Sequence, residues 1–126
     1  MPRKAKSSFI EPQRKPLVWL RGEVKTPPFT AEGRQEAGEL LRALQEGQVL
    51  SMPHAEPLPR VGPRCGAIRV RDGEHNWRIM YRIDSDAVVI LEVYDKKTQK
   101  IPDEVVDRCQ ARLKNYDAII RASKKK

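Results

Sequence analysis

Apolar positions change period several times along the chain, and each period predicts an element. Leu17-Val18-Trp19-Leu20 is a short apolar run that predicts a first strand, ended or bent at Gly22. Thr26-Pro27-Pro28-Phe29 follows and cannot be helix interior, because proline lacks the backbone donor and clashes with the preceding turn. Thr30 then stands as an N-cap. Ala37, Leu40, Leu41 and Leu44 recur at helical spacing, with Arg34, Glu36, Glu39 and Arg42 on the outside. Gly47 supplies the stop, so residues 30–46 are predicted as an amphipathic helix.

Residues 48–66 hold four prolines and two glycines with little periodicity. They read as a long ordered loop, of the kind that often carries function, and they contain His54. Residues 67–94 read as a three-stranded antiparallel meander. Ala67 to Arg71 alternates, Asp72-Gly73 is a turn signal, Trp77 to Ile83 alternates again, and Asp84-Ser85-Asp86 turns once more. Ala87 to Val93 is continuously apolar, which predicts the central, best-buried strand. Asp95-Lys96-Lys97-Thr98-Gln99-Lys100 leaves the sheet as a basic loop. Pro102 sits at a helix's first position, and Asp103 and Glu104 favour its positive end. Val106, Cys109, Leu113, Tyr116 and Ile120 share a face, so a second helix is predicted over 102–120.

The expected fold is α+β: an antiparallel-rich four-stranded sheet packed on an N-terminal helix, with a C-terminal helix added. One domain spans 15–121, between a basic arm at 1–14 and a basic tail at 122–126. The net charge of +8 points to an anionic partner, and nucleic acid is the commonest one. Cys65 and Cys109 lie far apart in unlike contexts, which argues against a disulfide framework and against a zinc site. No apolar run approaches the roughly 18 residues of a membrane span, and no apolar stretch follows Met1-Pro2-Arg3-Lys4. The expectation is a cytoplasmic protein with no membrane partner, no metal and no cofactor.

Strand parity then selects candidate chemistry. Ile68 and Val70 point one way, Arg69 and Arg71 the other. Trp77, Ile79, Tyr81 and Ile83 share one face, and Arg78, Met80 and Arg82 the opposite one. With the apolar faces turned to the helices, four guanidinium groups share one surface, with Lys96 and Lys97 at its edge. Like charges this close repel unless an anion compensates, and Glu92 is the only strand carboxylate placed nearby. Arginine's planar fork matches phosphate oxygens. The pattern reads as a phosphate-binding comb, against the alternative of an ordinary solvated sheet face. Metal-independent RNA cleavage needs such cations to stabilise the phosphate's growing charge, together with groups that move two protons. His54, His75, Tyr81, Tyr94 or a lysine are available for that. His54 is the first choice, and the strand pattern places Tyr81 in the core. No close triad, GxSxG, Walker loop or HExxH is present.

These residues also resemble a family. Lys15-Pro16-Leu17-Val18-Trp19, Gly22 and Lys25-Thr26-Pro27-Pro28-Phe29 open the likeness. It continues through Glu36-Ala37-Gly38, Leu40-Leu41-Arg42, Leu44-Gln45-Glu46-Gly47 and Met52-Pro53-His54. Arg64-Cys65, Trp77-Arg78-Ile79, Tyr81-Arg82-Ile83-Asp84 and Lys96-Lys97-Thr98-Gln99-Lys100 complete it. Over roughly residues 15–117 the chain resembles the phage-derived, HigB-like branch of the RelE/ParE toxin superfamily. The resemblance implies a type II toxin that cuts mRNA on the ribosome without a metal, and a helix-turn-helix antitoxin as partner. It implies phosphate-handling roles for Arg69, Arg71 and Arg78. Lys96 and Lys97 would grip RNA, with Arg64, Arg82 and Lys100 as further RNA-binding cations. His54 corresponds, by loop position, to a histidine used by some HigB-like members. One departure stands out: relatives carry Glu-Leu-Arg where this chain has Ala67-Ile68-Arg69. Two alternatives stay open, a ParE-like gyrase inhibitor and a non-catalytic RNA-binding module.

Overall fold

Thr30 starts the first helix through two sets of hydrogen bonds. In the computed structural model, which describes residues 14–21, 29–98 and 100–124, the Thr30 hydroxyl accepts from Gly33 N at 3.0 Å. Thr30 N and Oγ1 in turn donate to the Asp72 carboxylate at 2.9 and 2.6 Å. The cap therefore satisfies a helix N–H and also pins the helix to a strand end. These Thr30 hydrogen bonds, side chain first, hold the Asp72 carboxyl below the usual carboxylate range. A Cβ on Gly33 would fall 2.5 Å from Asp72 Oδ2, so only glycine admits the carboxylate here.

In chain order the elements are β1 (Leu17–Trp19), α1 (Ala31–Gln45), β2 (Ala55–Pro57), β3 (Cys65–Asp72), β4 (His75–Ile83), β5 (Val88–Asp95) and α2 (Asp103–Lys124). The five strands form one sheet in the order β1-β5-β4-β3-β2, with β1 parallel to β5 and every other pair antiparallel. The α+β expectation holds, with both helices and the meander near their predicted bounds. The strand count is corrected from four to five. Ala-Glu-Pro is too short to show alternation and ends in proline, tolerated only because β2 is an edge strand. The central position is also corrected. β4 lies in the middle, while β5, next to it, carries the longest fully buried run, Val88 to Leu91. Gly22 and Thr26-Pro27-Pro28, the arm at 1–13, Gln99 and the last residues of the tail (125–126) lie outside the described residues.

The helices pack on opposite faces of the sheet. α1 buries Ala37, Leu41 and Leu44 against Ile68, Val70, Trp77, Ile79, Val88 and Ile90. α2 buries Val105, Val106, Cys109 and Leu113 against Ala67, Met80, Val89 and Leu91. Each fully buried aliphatic side chain contributes about 1.5–3 kcal/mol. A bulge between Met80 and Tyr81 in the β4–β5 pairing sets Met80 opposite Glu92 and Tyr81 opposite Ile90. Two consecutive residues thereby turn toward α2: Leu91 packs in its core, and Glu92 meets Arg108 and Arg112 of α2.

Candidate functional site

α2 covers only one end of the arginine-bearing face, and this divides the predicted comb. Cross-strand pairs share a face, so Cys65–Arg82, Ala67–Met80, Arg69–Arg78 and Arg71–Asn76 form successive rows of it. α2 lies over the Cys65 end. There Arg82, 8% exposed, donates to both oxygens of Asp84 and both of Asp117, at 2.7–2.9 Å. Those hydrogen bonds, Asp117's first, raise the affinity of Arg82 for its proton and hold the Asp117 carboxyl below its usual range. Arg82 is a structural clamp between β4 and α2, and its predicted place in an open comb is corrected. Arg64 is also drawn to this end, 3.6 Å from Asp84, with its guanidinium donating to the Ile83 carbonyl.

The other end of the face is open, and there the predicted residues converge. His54, Arg69, Arg71 and Arg78 line one cleft of about 300 Å³, with Asn76, Pro53, Val70 and Glu36 of α1 completing the wall. Arg78, Asn76, Lys96, Lys97 and Thr98 line an adjoining cleft of about 330 Å³. Asn76 and Arg78 belong to both, so the two clefts are contiguous and six predicted residues face them. Lys100 lines neither cleft; it is exposed, and its carbonyl accepts from the Thr98 hydroxyl at 2.6 Å.

The charges in this region are unevenly compensated. Among the described residues Arg69 Nε is buried without a hydrogen-bond partner, and its Nη1 reaches only the Met52 sulfur at 3.3 Å. Arg71 Nε donates to the Gly73 carbonyl at 3.1 Å. Among the described residues no carboxylate pairs with Arg69, Arg71 or Lys96. Arg78 is different: 6% exposed, it donates from Nε to Glu56 at 3.1 Å and from Nη1 to the Trp77 carbonyl at 3.3 Å. Lys97 meets Asp95 at 2.8 Å. Burial alone would raise the Asp95 carboxyl, but hydrogen bonds from His75, Lys97 and Asn76 N hold it well below the usual range. Glu92 is therefore not the only carboxylate on this face. Glu56 was missed because β2 carries no strand signal. Asn76 was legible in principle, since it has the parity of Arg78.

The proton-moving candidates separate as well. His54 is exposed at the cleft, and its carbonyl accepts from Arg69 N at 2.8 Å, which ties the loop to β3. His75 lies outside the clefts, stacked on Trp77 and bonded through Nδ1 to Asp95 at 2.6 Å. Tyr81 is buried in the α1 core, as its parity predicts. Tyr94 packs against the α2 core, and burial pushes its phenol up to about 12. Both cysteines are buried free thiols, pushed up to about 11 at Cys65 and about 12 at Cys109 by that burial. Among the described residues no three His, Cys, Asp or Glu side chains cluster as metal ligands would, and no helix is long and apolar enough to cross a membrane.

The sequence model of the family described as phage-derived protein Gp49-like (DUF891) matches residues 28–114, which span α1, the whole meander and the first half of α2. No significant match is found among curated proteins or among solved structures.

Proposed function

This chain belongs to the Gp49-like family of phage-derived proteins, a family associated with RelE-like toxins, and from that premise we propose that it is a toxin of the HigB-like branch that cuts mRNA on the ribosome. Its partners on this reading are the ribosome, mRNA and a helix-turn-helix antitoxin. One observation carries the proposal: Arg69, Arg71 and Lys96, cations without carboxylate partners among the described residues, converge with Arg78 on two contiguous clefts. Uncompensated guanidinium groups held near one another are costly, and a bound phosphate would relieve that cost.

The chemistry follows from the substrate. A 2′-hydroxyl attacks the adjacent phosphorus, and the 5′-oxygen of the next nucleotide leaves. Negative charge grows on the non-bridging oxygens, where Arg69, Arg71 and Arg78 stabilise it. The products are a 2′,3′-cyclic phosphate and a 5′-hydroxyl: His54, exposed at the same cleft, takes the 2′-hydroxyl proton, solvent water gives one to the leaving 5′-oxygen, and Lys96 and Lys97 hold the neighbouring backbone phosphate. No protein-bound metal takes part in any step of this scheme.

The test is inducible expression in bacteria with primer extension on an abundant mRNA. New cuts within translated regions, lost on Arg69→Ala, are the expected result. Growth arrest without cuts, or no arrest, would overturn the nuclease reading.

A further inference from the structure

Arg78 and Glu56 are joined across a strand that lies between them. Glu56 is on β2, Arg78 on β4, and β3 separates the two. Adjacent strands lie about 4.8 Å apart, so the pair must bridge roughly 10 Å between backbones. The register explains how it does so. Glu56 stands opposite Ala67, in the row next to Arg69–Arg78. Ala67 presents only a methyl group, so the glutamate side chain crosses β3 at that point and meets the guanidinium diagonally. Arg78 thereby commits Nε to Glu56 and Nη1 to the Trp77 carbonyl. Its Nη2 has no partner among the described residues, and the side chain forms part of the wall shared by both clefts. Arg69 stands directly opposite Arg78.

We infer that Glu56 is a positioning residue for Arg78. Its carboxylate holds Nε while the Trp77 carbonyl holds Nη1, and the remaining nitrogen is left for the phosphate between the clefts. This rests on the reading in the previous subsection, which makes Arg78 a group that touches the reacting phosphate. Reach and a hydrogen-bond acceptor are what the role requires. Charge and a transferable proton are not. A carboxylate that took the proton from the 2′-hydroxyl would need the reverse.

Two conservative variants separate these roles in the full-length protein. Glu56→Gln keeps the reach and the acceptor but loses the charge. Glu56→Asp keeps the charge but is one carbon too short to cross β3. Cleavage of ribosome-bound mRNA should fall about 10–100-fold in Glu56→Asp, as expected for a misplaced catalytic group, and stay within a few-fold of wild type in Glu56→Gln. Binding of a 2′-O-methyl RNA oligonucleotide, which cannot be cut, should be unchanged in both. Full activity in Glu56→Asp with loss in Glu56→Gln would overturn the positioning role in favour of proton transfer. Equal activity in both variants and wild type would overturn it outright. A readout independent of cleavage is the exchange rate of the Arg78 Nε–H signal by NMR. It should be slow in wild type and Glu56→Gln and fast in Glu56→Asp. If the wild type cuts nothing, the nuclease reading fails, and this signal still tests the hold: fast exchange in wild type would overturn it.

Discussion

Arg78 and Arg82 sit four residues apart on one strand and point to the same side of the sheet, yet their surroundings are opposite in kind. Arg82 is closed in by α2 and divides its donors between Asp84 and Asp117. Arg78 faces two open clefts and, among the described residues, has no partner for one nitrogen and stands beside Arg69, which has no carboxylate partner. At the covered end the guanidinium is consumed by the fold, and at the open end it borders the clefts. A row of arginines is thus no measure of a binding surface until its counter-ions are counted. Three carboxylates from β2, the β4–β5 turn and α2 make the division: Glu56, Asp84 and Asp117.

The contrast can be broken by removing either end. Arg82→Ala takes the hydrogen-bonding partner from Asp117 of α2 and leaves Asp84 with Arg64 at 3.6 Å, and should cost about 3 kcal/mol, read as a fall in the urea midpoint. The folded fraction should bind RNA as before. Retained stability with lost RNA binding would erase the distinction between the two ends. Arg69→Ala should do the converse. Stability should change by about 0.5 kcal/mol, because among the described residues the side chain's only partner is the Met52 sulfur. Cleavage should fall about 10²–10³-fold if Arg69 stabilises the transition state. Arg78→Ala mixes the two effects, since it also strands the part-buried Glu56, and it is the poorer test.

Acid tests the covered end through Asp117, with Asp72 at the α1 cap adding to the same titration. The Asp117 and Asp72 carboxyls both titrate below their unfolded value of about 3.9. A depressed folded pKa stabilises above the unfolded pKa, and that stability is lost as pH falls through the folded one. The urea midpoint should be flat from about pH 7 to 5 and drop below about pH 4. The drop should be smaller in Arg82→Ala, where Asp117 has lost its partner. The smallest effect belongs to the open side. Lys96→Ala should lower the salt slope of single-stranded RNA binding by about 0.7. Arg64→Ala, at the covered end, should leave that slope unchanged. Equal slopes for the two variants would place RNA elsewhere on the surface.

Much of this was legible along the chain because local rules govern it. Thr30 caps α1, Gly47 takes the left-handed conformation after it at φ 89°, and Asp72-Gly73 turns the hairpin. Parity placed Arg69, Arg71 and Arg78 on one face, and His54 lies at the same cleft. β2 was not legible, since Ala55-Glu56-Pro57 becomes a strand only by pairing with Gly66, Ala67 and Ile68. Glu56 was hidden with it. The bulge that turns Glu92 to α2 was equally silent, because alternation predicts parity only while the ladder stays in register.

The sequence by itself determined the helix faces, the turns, the basic charge and the side of each strand on which an arginine stands. These depend on backbone period and on residues within a few positions of one another. Only the tertiary structure decided which arginines α2 covers and which border the open clefts. The apolar stripe of α2 had to be buried somewhere, and Ala67, Met80, Val89 and Leu91 offered the site. That choice carried Asp117 to Arg82 and left Arg69, Arg71 and Arg78 at the uncovered end. Such pairings join residues 22 and 35 positions apart, and no period in the chain encodes them.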